Sequence, residues 1–93
     1  MPQTMHRRTC YFTGRVQGVG FRYTVKNVAQ QYNVHGFVKN LPDGRVELVM
    51  EGPDSEMDNV VCEIKRRMNG YIRSLESHVS PATREFEHFS IRH

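Results

Sequence analysis

Tryptophan is absent from this chain of 93 residues, cysteine occurs twice and proline four times. Two cysteines are too few for the disulfide framework on which small secreted domains rely, and the start, MPQTMHRRTCYFTG, lacks the apolar stretch of a signal peptide. No apolar run approaches the roughly 18 to 20 residues of a membrane-spanning helix, and no block of five like charges marks a nucleic-acid-binding tail. What is present excludes disorder: 38% of residues are hydrophobic, with five Phe and four Tyr. A chain of this length holds one core, so a single domain over residues 1–93 is expected, with 1–7 as a flexible N-terminal extension. The expected setting is a reducing cytoplasm and the expected state a monomer.

Charge is modestly basic, +3 with a sequence pI near 9.1. Ten of the thirteen cations are Arg, the side chain that meets phosphate or carboxylate with a planar fork of donors. An anionic partner fits this bias, and so does an ordinary solvated basic surface.

Along the chain, RTCYFTG (8–14) reads as a strand with Cys10 and Phe12 on one face. From Phe21 the residues Val25, Val28, Ala29 and Tyr32 recur on one helical face, with Asn33 suited to close that helix in the left-handed conformation. Residues 34–40 and 45–51 read as strands joined by a Leu41-Pro42-Asp43-Gly44 turn. A second helix opens at Asp54, carries the stripe Met57, Val60, Val61, Ile64 and Met68, and stops at Gly70. Cys62 lies about 100° off that stripe, which argues against a bridge to Cys10. Residues 71–79 and 86–92 read as further strands around a Ser80-Pro81-Ala82-Thr83 turn. The order is βαββαβ plus a short terminal strand. That is the α+β, ferredoxin-like sandwich, in which two helices cover one face of an antiparallel sheet. Such a fold does not by itself name a function.

The chemistry concentrates in GRVQGVGFR (14–22), a glycine-rich connection between a strand end and a helix start. Backbone N–H groups there can turn inward as an anion nest, and Arg22 in the first helical turn adds donors beside the same spot. A purely structural glycine turn with an exposed arginine remains open on these grounds. Asn40, beside the hairpin turn, reads on its own as a turn residue, although an amide can both donate to and accept from a water. The five histidines form no i, i+4 pair or His-x-His cluster, so no metal site is expected.

The motif GRVQGVGFR, followed by GFVKNLPDGRVELVMEG (36–52) and the ending Phe89-Ser90-Ile91-Arg92, resembles the acylphosphatase family over nearly the whole chain. The resemblance implies hydrolysis of the carboxyl–phosphate bond of acyl phosphates, with no metal and no cofactor. It puts the catalytic arginine at Arg22, the catalytic asparagine at Asn40 and the phosphate-cradling loop at Gln17, Gly18, Val19, Gly20 and Phe21. The implied partners are a small acyl phosphate and inorganic phosphate, the latter as product and inhibitor, with no nucleic acid and no membrane. Two departures stand out: Leu41 where relatives often carry Thr, and His93 where an aromatic residue commonly ends the chain. The competing readings are an RNA-binding module of the same strand order, whose basic-Gly-aromatic signature is missing at His35-Gly36-Phe37-Val38-Lys39, and a catalytically silent anion-binding domain. A lone chain of this size is expected to act as an independent enzyme.

Overall fold

The computed structural model describes residues 4–93. Its elements are β1 (Met5–Gly14), α1 (Phe21–Ala29), β2 (His35–Asn40), β3 (Val46–Pro53), α2 (Asp54–Arg67), β4 (Ile72–Pro81) and β5 (Phe89–Arg92). The sheet order is β4-β1-β3-β2-β5. All neighbours are antiparallel except β2 and β5, which run parallel, so the sheet is mixed where an antiparallel one was expected. The cause is topological: the chain crosses from β4 at one edge to the opposite edge and arrives at β2 in the same direction.

Alternation along the strands decides which side chains meet the helices. Cys10 and Phe12 of β1, Val38 of β2, and Val46, Leu48 and Met50 of β3 are fully buried with Val25 and Val28 of α1 and Met57, Val60 and Ile64 of α2. The rings of Phe12 and Phe21 pack edge to face at 5.2 Å, which fixes the start of α1 against the end of β1. Asn40 is opposite Val46 and two residues from Val38, so its side chain shares the helix-covered face.

Several boundaries differ from the sequence reading. Strand β1 begins at Met5, so residues 5–7 are not an extension: His6 is paired with Gly52 and Pro81, and Arg7 donates from Nε to the buried Glu51 at 2.8 Å. Residues 1–3 of the expected extension lie outside the described residues. Helix α1 ends at Ala29, before Tyr32 and Asn33, because its last turn tightens to i→i−3 bonds from Gln31 to Val28 and from Tyr32 to Ala29. Asn33 is not left-handed; its N–H donates to the Glu56 carboxylate of α2 at 2.9 Å instead. Helix α2 ends at Arg67 with Met68 as its cap, so Gly70 falls in the connection after the stop.

Strand β4 runs on through Pro81, absorbing half of the expected turn, and β5 starts only at Phe89. The intervening residues lie over the helix-free face of the sheet. The Thr83 and Arg84 N–H groups donate to Glu51 at 2.9 and 2.7 Å, and Phe86 packs edge to face on Phe37 at 5.8 Å. The Arg92 guanidinium lies 3.8 Å from the Phe37 ring centroid, leaving that phenylalanine buried.

Candidate active site

Between β1 and α1 the chain passes through Gly18 and Gly20 with φ of +79° and +74°. An added Cβ at either would meet no protein atom within 4 Å, so backbone conformation, not crowding, demands glycine there. Gly20 is the cap residue of α1. The Thr24 N–H donates to the Gly20 carbonyl at 3.0 Å as the first bond of the helix, which leaves the N–H groups of Phe21, Arg22 and Tyr23 without intrahelical partners.

The two helices treat their positive ends differently. Helix α2 starts with Asp54 and Glu56, which satisfy its dipole, whereas α1 has no acidic residue in its first turn and carries Arg22 there. A cation at that position opposes the helix dipole, and an anion bound beside it would relieve both. The α1 start is therefore an electropositive corner, with no acidic residue in its own first turn to neutralise it.

Opposite that corner lies Asn40. Its Oδ1 is buried and, among the described residues, is the side-chain oxygen or nitrogen identified as buried without a hydrogen-bond partner. Buried polar atoms are nearly always paired, and leaving one unpaired costs about 1–3 kcal/mol. Val16, Gly18, Gly20, Phe21, Arg22, Tyr23 and Asn40 line one cleft of about 250 Å³. Four of the six expected cradle and arginine positions on the loop side, Gly18, Gly20, Phe21 and Arg22, thus face the same space as Asn40.

Two expected cradle residues do not line the cleft. Val19 is exposed, and the Gln17 side chain turns away to donate from Nε2 to the carbonyl oxygens of Leu41 and Arg45 at 2.9 and 3.0 Å. The loop is thereby pinned to the β2–β3 hairpin that carries Asn40. Sequence reasoning missed Tyr23, a cleft wall that is 70% exposed, and the two residues behind Arg22. Arg22 Nη1 donates to the Arg92 carbonyl at 3.2 Å and lies 3.3 Å from Nδ1 of His93. A charged residue at the start of a helix and another at the end of the last strand carry no sequence signal that they meet.

A larger cleft of about 450 Å³ lies at the same end of the sheet and is lined by residues including Arg15, Arg45, Tyr71 and Arg73. It contains neither Arg22 nor Asn40, and its Arg45 is held by Asp43 at 2.8 Å and by the Tyr11 ring at 4.6 Å. Both cysteines are free: Cys62 is exposed, and burial pushes the Cys10 thiol up, with the Ser77 hydroxyl 3.5 Å away opposing the shift. Among the described residues no three His, Cys, Asp or Glu side chains are grouped as a metal set, and no helix is long and apolar enough to cross a membrane.

Fold and cleft together define an α+β domain built around an electropositive loop-and-helix corner. The family model for acylphosphatase matches residues 8–91. A curated acylphosphatase from Paenarthrobacter aurescens is 42% identical over 86 residues, which span 91% of this chain and 92% of the relative. The crystal structure of acylphosphatase from Bacillus subtilis superposes with a TM-score of 0.85 at 35% identity, covering 95% of this chain and 99% of that one. Full-length HypF, in its phosphate- and nucleotide-bound form, superposes with a TM-score of 0.84 at 27% identity, over all of this chain and 12% of that one. The chain belongs to the acylphosphatase family, whose reaction is the hydrolysis of acyl phosphates.

Proposed function

We propose that this chain cleaves the carboxyl–phosphate bond without a metal, holding the phosphoryl group with the backbone of Gln17–Phe21 and the Arg22 guanidinium and aiming a water with Asn40. The observation that carries this reading is the buried, unpartnered Asn40 Oδ1 on the same cleft as Arg22 and the two left-handed glycines. An acceptor kept unpaired inside a protein is costly, and a water lying between it and the phosphorus would satisfy it.

The chemistry asks little more. Water attacks phosphorus, the bond from phosphorus to the acyl oxygen breaks, and the electron pair leaves with a carboxylate. The conjugate acid of that leaving group has a pKa of about 4, so no general acid is needed. The attacking water's proton passes to a phosphate oxygen or to solvent. Charge on the peripheral oxygens in the transition state is met by the loop amides, the free N–H groups of the α1 start and Arg22, all positioned before the substrate arrives. Inorganic phosphate, which presents the same oxygens, is the expected competitive inhibitor.

The buried state of Phe37, under Phe86 and Arg92, supports the same reading against RNA binding, because base stacking requires exposed aromatic faces on the sheet. A monomer in a reducing cytoplasm belongs to this proposal. The test is release of phosphate from a synthetic aryl acyl phosphate with and without a chelator. Equal hydrolysis in both is expected. Loss of activity with the chelator would reject metal independence, and no hydrolysis under either condition would leave only an anion-binding domain.

A further inference from the structure

Seven residues line the cleft that holds Arg22 and Asn40, and six of them are already committed. Val16 and Phe21 are buried in the core, and Gly18 and Gly20 have no side chain to offer. In the proposed reaction Arg22 is taken up by the phosphoryl group and Asn40 by the attacking water. Tyr23 is what remains. It is the third residue of α1 and 70% exposed, and among the described residues its ring packs on no other aromatic ring or guanidinium. A single exposed aromatic residue is ordinary on a protein surface. This one stands on the wall of the cleft in which a small molecule is to be cut in two.

In phosphoryl transfer the attacking and leaving oxygens lie roughly in line through phosphorus. With the water on the Asn40 side, the acyl oxygen is on the far side of the phosphorus, and the acyl group points away from Asn40. Asn40 stands opposite the start of α1, so that direction leads toward the helix side of the cleft, where Tyr23 is the uncommitted side chain.

We propose that Tyr23 is the specificity-determining contact for the acyl half of the substrate: a planar, apolar acyl group packs on its ring, so that aryl acyl phosphates are favoured over short aliphatic ones. This rests on the reading of Arg22 and Asn40 as the phosphoryl-binding and water-aiming residues. Inorganic phosphate has no acyl group and gains nothing from the ring, which separates this contact from the anion-binding groups of the same cleft.

The test compares benzoyl phosphate with acetyl phosphate. Values of kcat/KM for both are measured for the wild type, Tyr23→Ala, Tyr23→Phe and Tyr71→Ala, the last removing the exposed tyrosine of the larger cleft. Dividing a variant's benzoyl-to-acetyl ratio by that of the wild type cancels the intrinsic reactivity of the two anhydrides. Tyr23→Ala is expected to lower the ratio about two- to tenfold, the effect of losing one ring–ring contact. Inhibition by inorganic phosphate should change little in that variant, because the N–H of residue 23 is kept. Tyr23→Phe and Tyr71→Ala should both hold the wild-type ratio. A merely structural role for Tyr23 would lower both substrates alike, and since the side chain is exposed the variants should melt with the wild type.

A wild-type ratio in Tyr23→Ala overturns the proposal. So does a ratio lost in Tyr71→Ala alone, which would seat the acyl group in the larger cleft, or one lost equally in Tyr23→Phe, which would give the effect to the hydroxyl. A wild type that hydrolyses neither substrate overturns the reading of Arg22 and Asn40 as well, whereas hydrolysis of both with no dependence on Tyr23 overturns this assignment alone.

Discussion

Gln17 and Leu41 are 24 residues apart in sequence, yet the Gln17 Nε2 donates to the Leu41 carbonyl at 2.9 Å and couples the glycine-rich loop to the hairpin. The same nitrogen donates to Arg45 at 3.0 Å, so both amide hydrogens are used on the two ends of one turn. The loop and Asn40 are thus held in one frame although they belong to different elements.

Removing this tie should loosen the cradle without removing any group that meets the substrate. Gln17→Ala is expected to raise KM and the inhibition constant for phosphate severalfold, with a smaller change in kcat, because two hydrogen bonds worth about 1 kcal/mol each restrain the loop. Steady-state kinetics with phosphate inhibition checks this. Wild-type constants in the variant would show that Gly18 and Gly20 set the loop unaided.

Arg22→Ala should be far more severe. Losing one charge-stabilising donor costs about 10²- to 10³-fold in rate, and here binding should weaken as well. Arg22→Lys should restore little, since an ammonium cannot grip Arg92 and His93 on one side and present a fork on the other. Measured kcat and phosphate affinity of both variants decide the point.

At Asn40 binding and turnover should separate. The Asn40→Ala variant is expected to lose most of kcat while phosphate affinity stays close to wild type, the pattern of an interaction made chiefly in the transition state. Because Oδ1 has no protein partner to lose, the melting temperature should hold or rise. A lowered melting temperature with activity recovered on cooling would instead make Asn40 a structural turn residue. Calorimetry, a continuous assay and thermal unfolding on one preparation distinguish these outcomes.

Glu51 provides a test of stability away from the cleft. It is 4% exposed. Burial acts to raise its pKa, but the Thr83 N–H, the Arg7 guanidinium, the Arg84 N–H and the Thr83 hydroxyl outweigh that and hold it at about 2, against an ordinary 4.5. The folded state thus resists the proton that the unfolded state accepts. Its contribution is complete above about pH 4.5 and is lost as pH falls through about 2. At about 1.4 kcal/mol per pH unit the effect is about 3 kcal/mol. Urea unfolding of the wild type and Glu51→Gln across this window should show the stability gap closing toward pH 2. A gap that stays constant would mean the carboxylate charge is not what stabilises the pairing.

Much of this was legible in the chain because single elements announce themselves. The stripe from Met57 to Met68 and the Leu41–Gly44 turn are local patterns, and the structure has α2 starting at Asp54 and the hairpin where they indicate. The motifs drew attention to Arg22, Asn40 and two of the glycines, which the structure brings to one cleft. What could not be read were partnerships set by tertiary placement. Asn33 had the chemistry of a left-handed cap, but Glu56 from another helix claimed its N–H. Residues 5–7 lacked a clean strand alternation, yet pairing on both sides made them strand. The role of Gln17 depended on where two carbonyls across the hairpin would point.

The parallel pairing of β5 with β2 has a consequence for synthesis. Arg22 is made early, but its rear support, the Arg92 carbonyl and the His93 ring, is made some 70 residues later. The β2–β3 hairpin and both helices precede it in the chain, yet the contacts behind the arginine form only once Phe89–His93 has docked along β2. If Arg22 has the proposed role, competence for the reaction waits on the docking of β5, and a chain stalled before it would carry the loop and the asparagine around an arginine without that support.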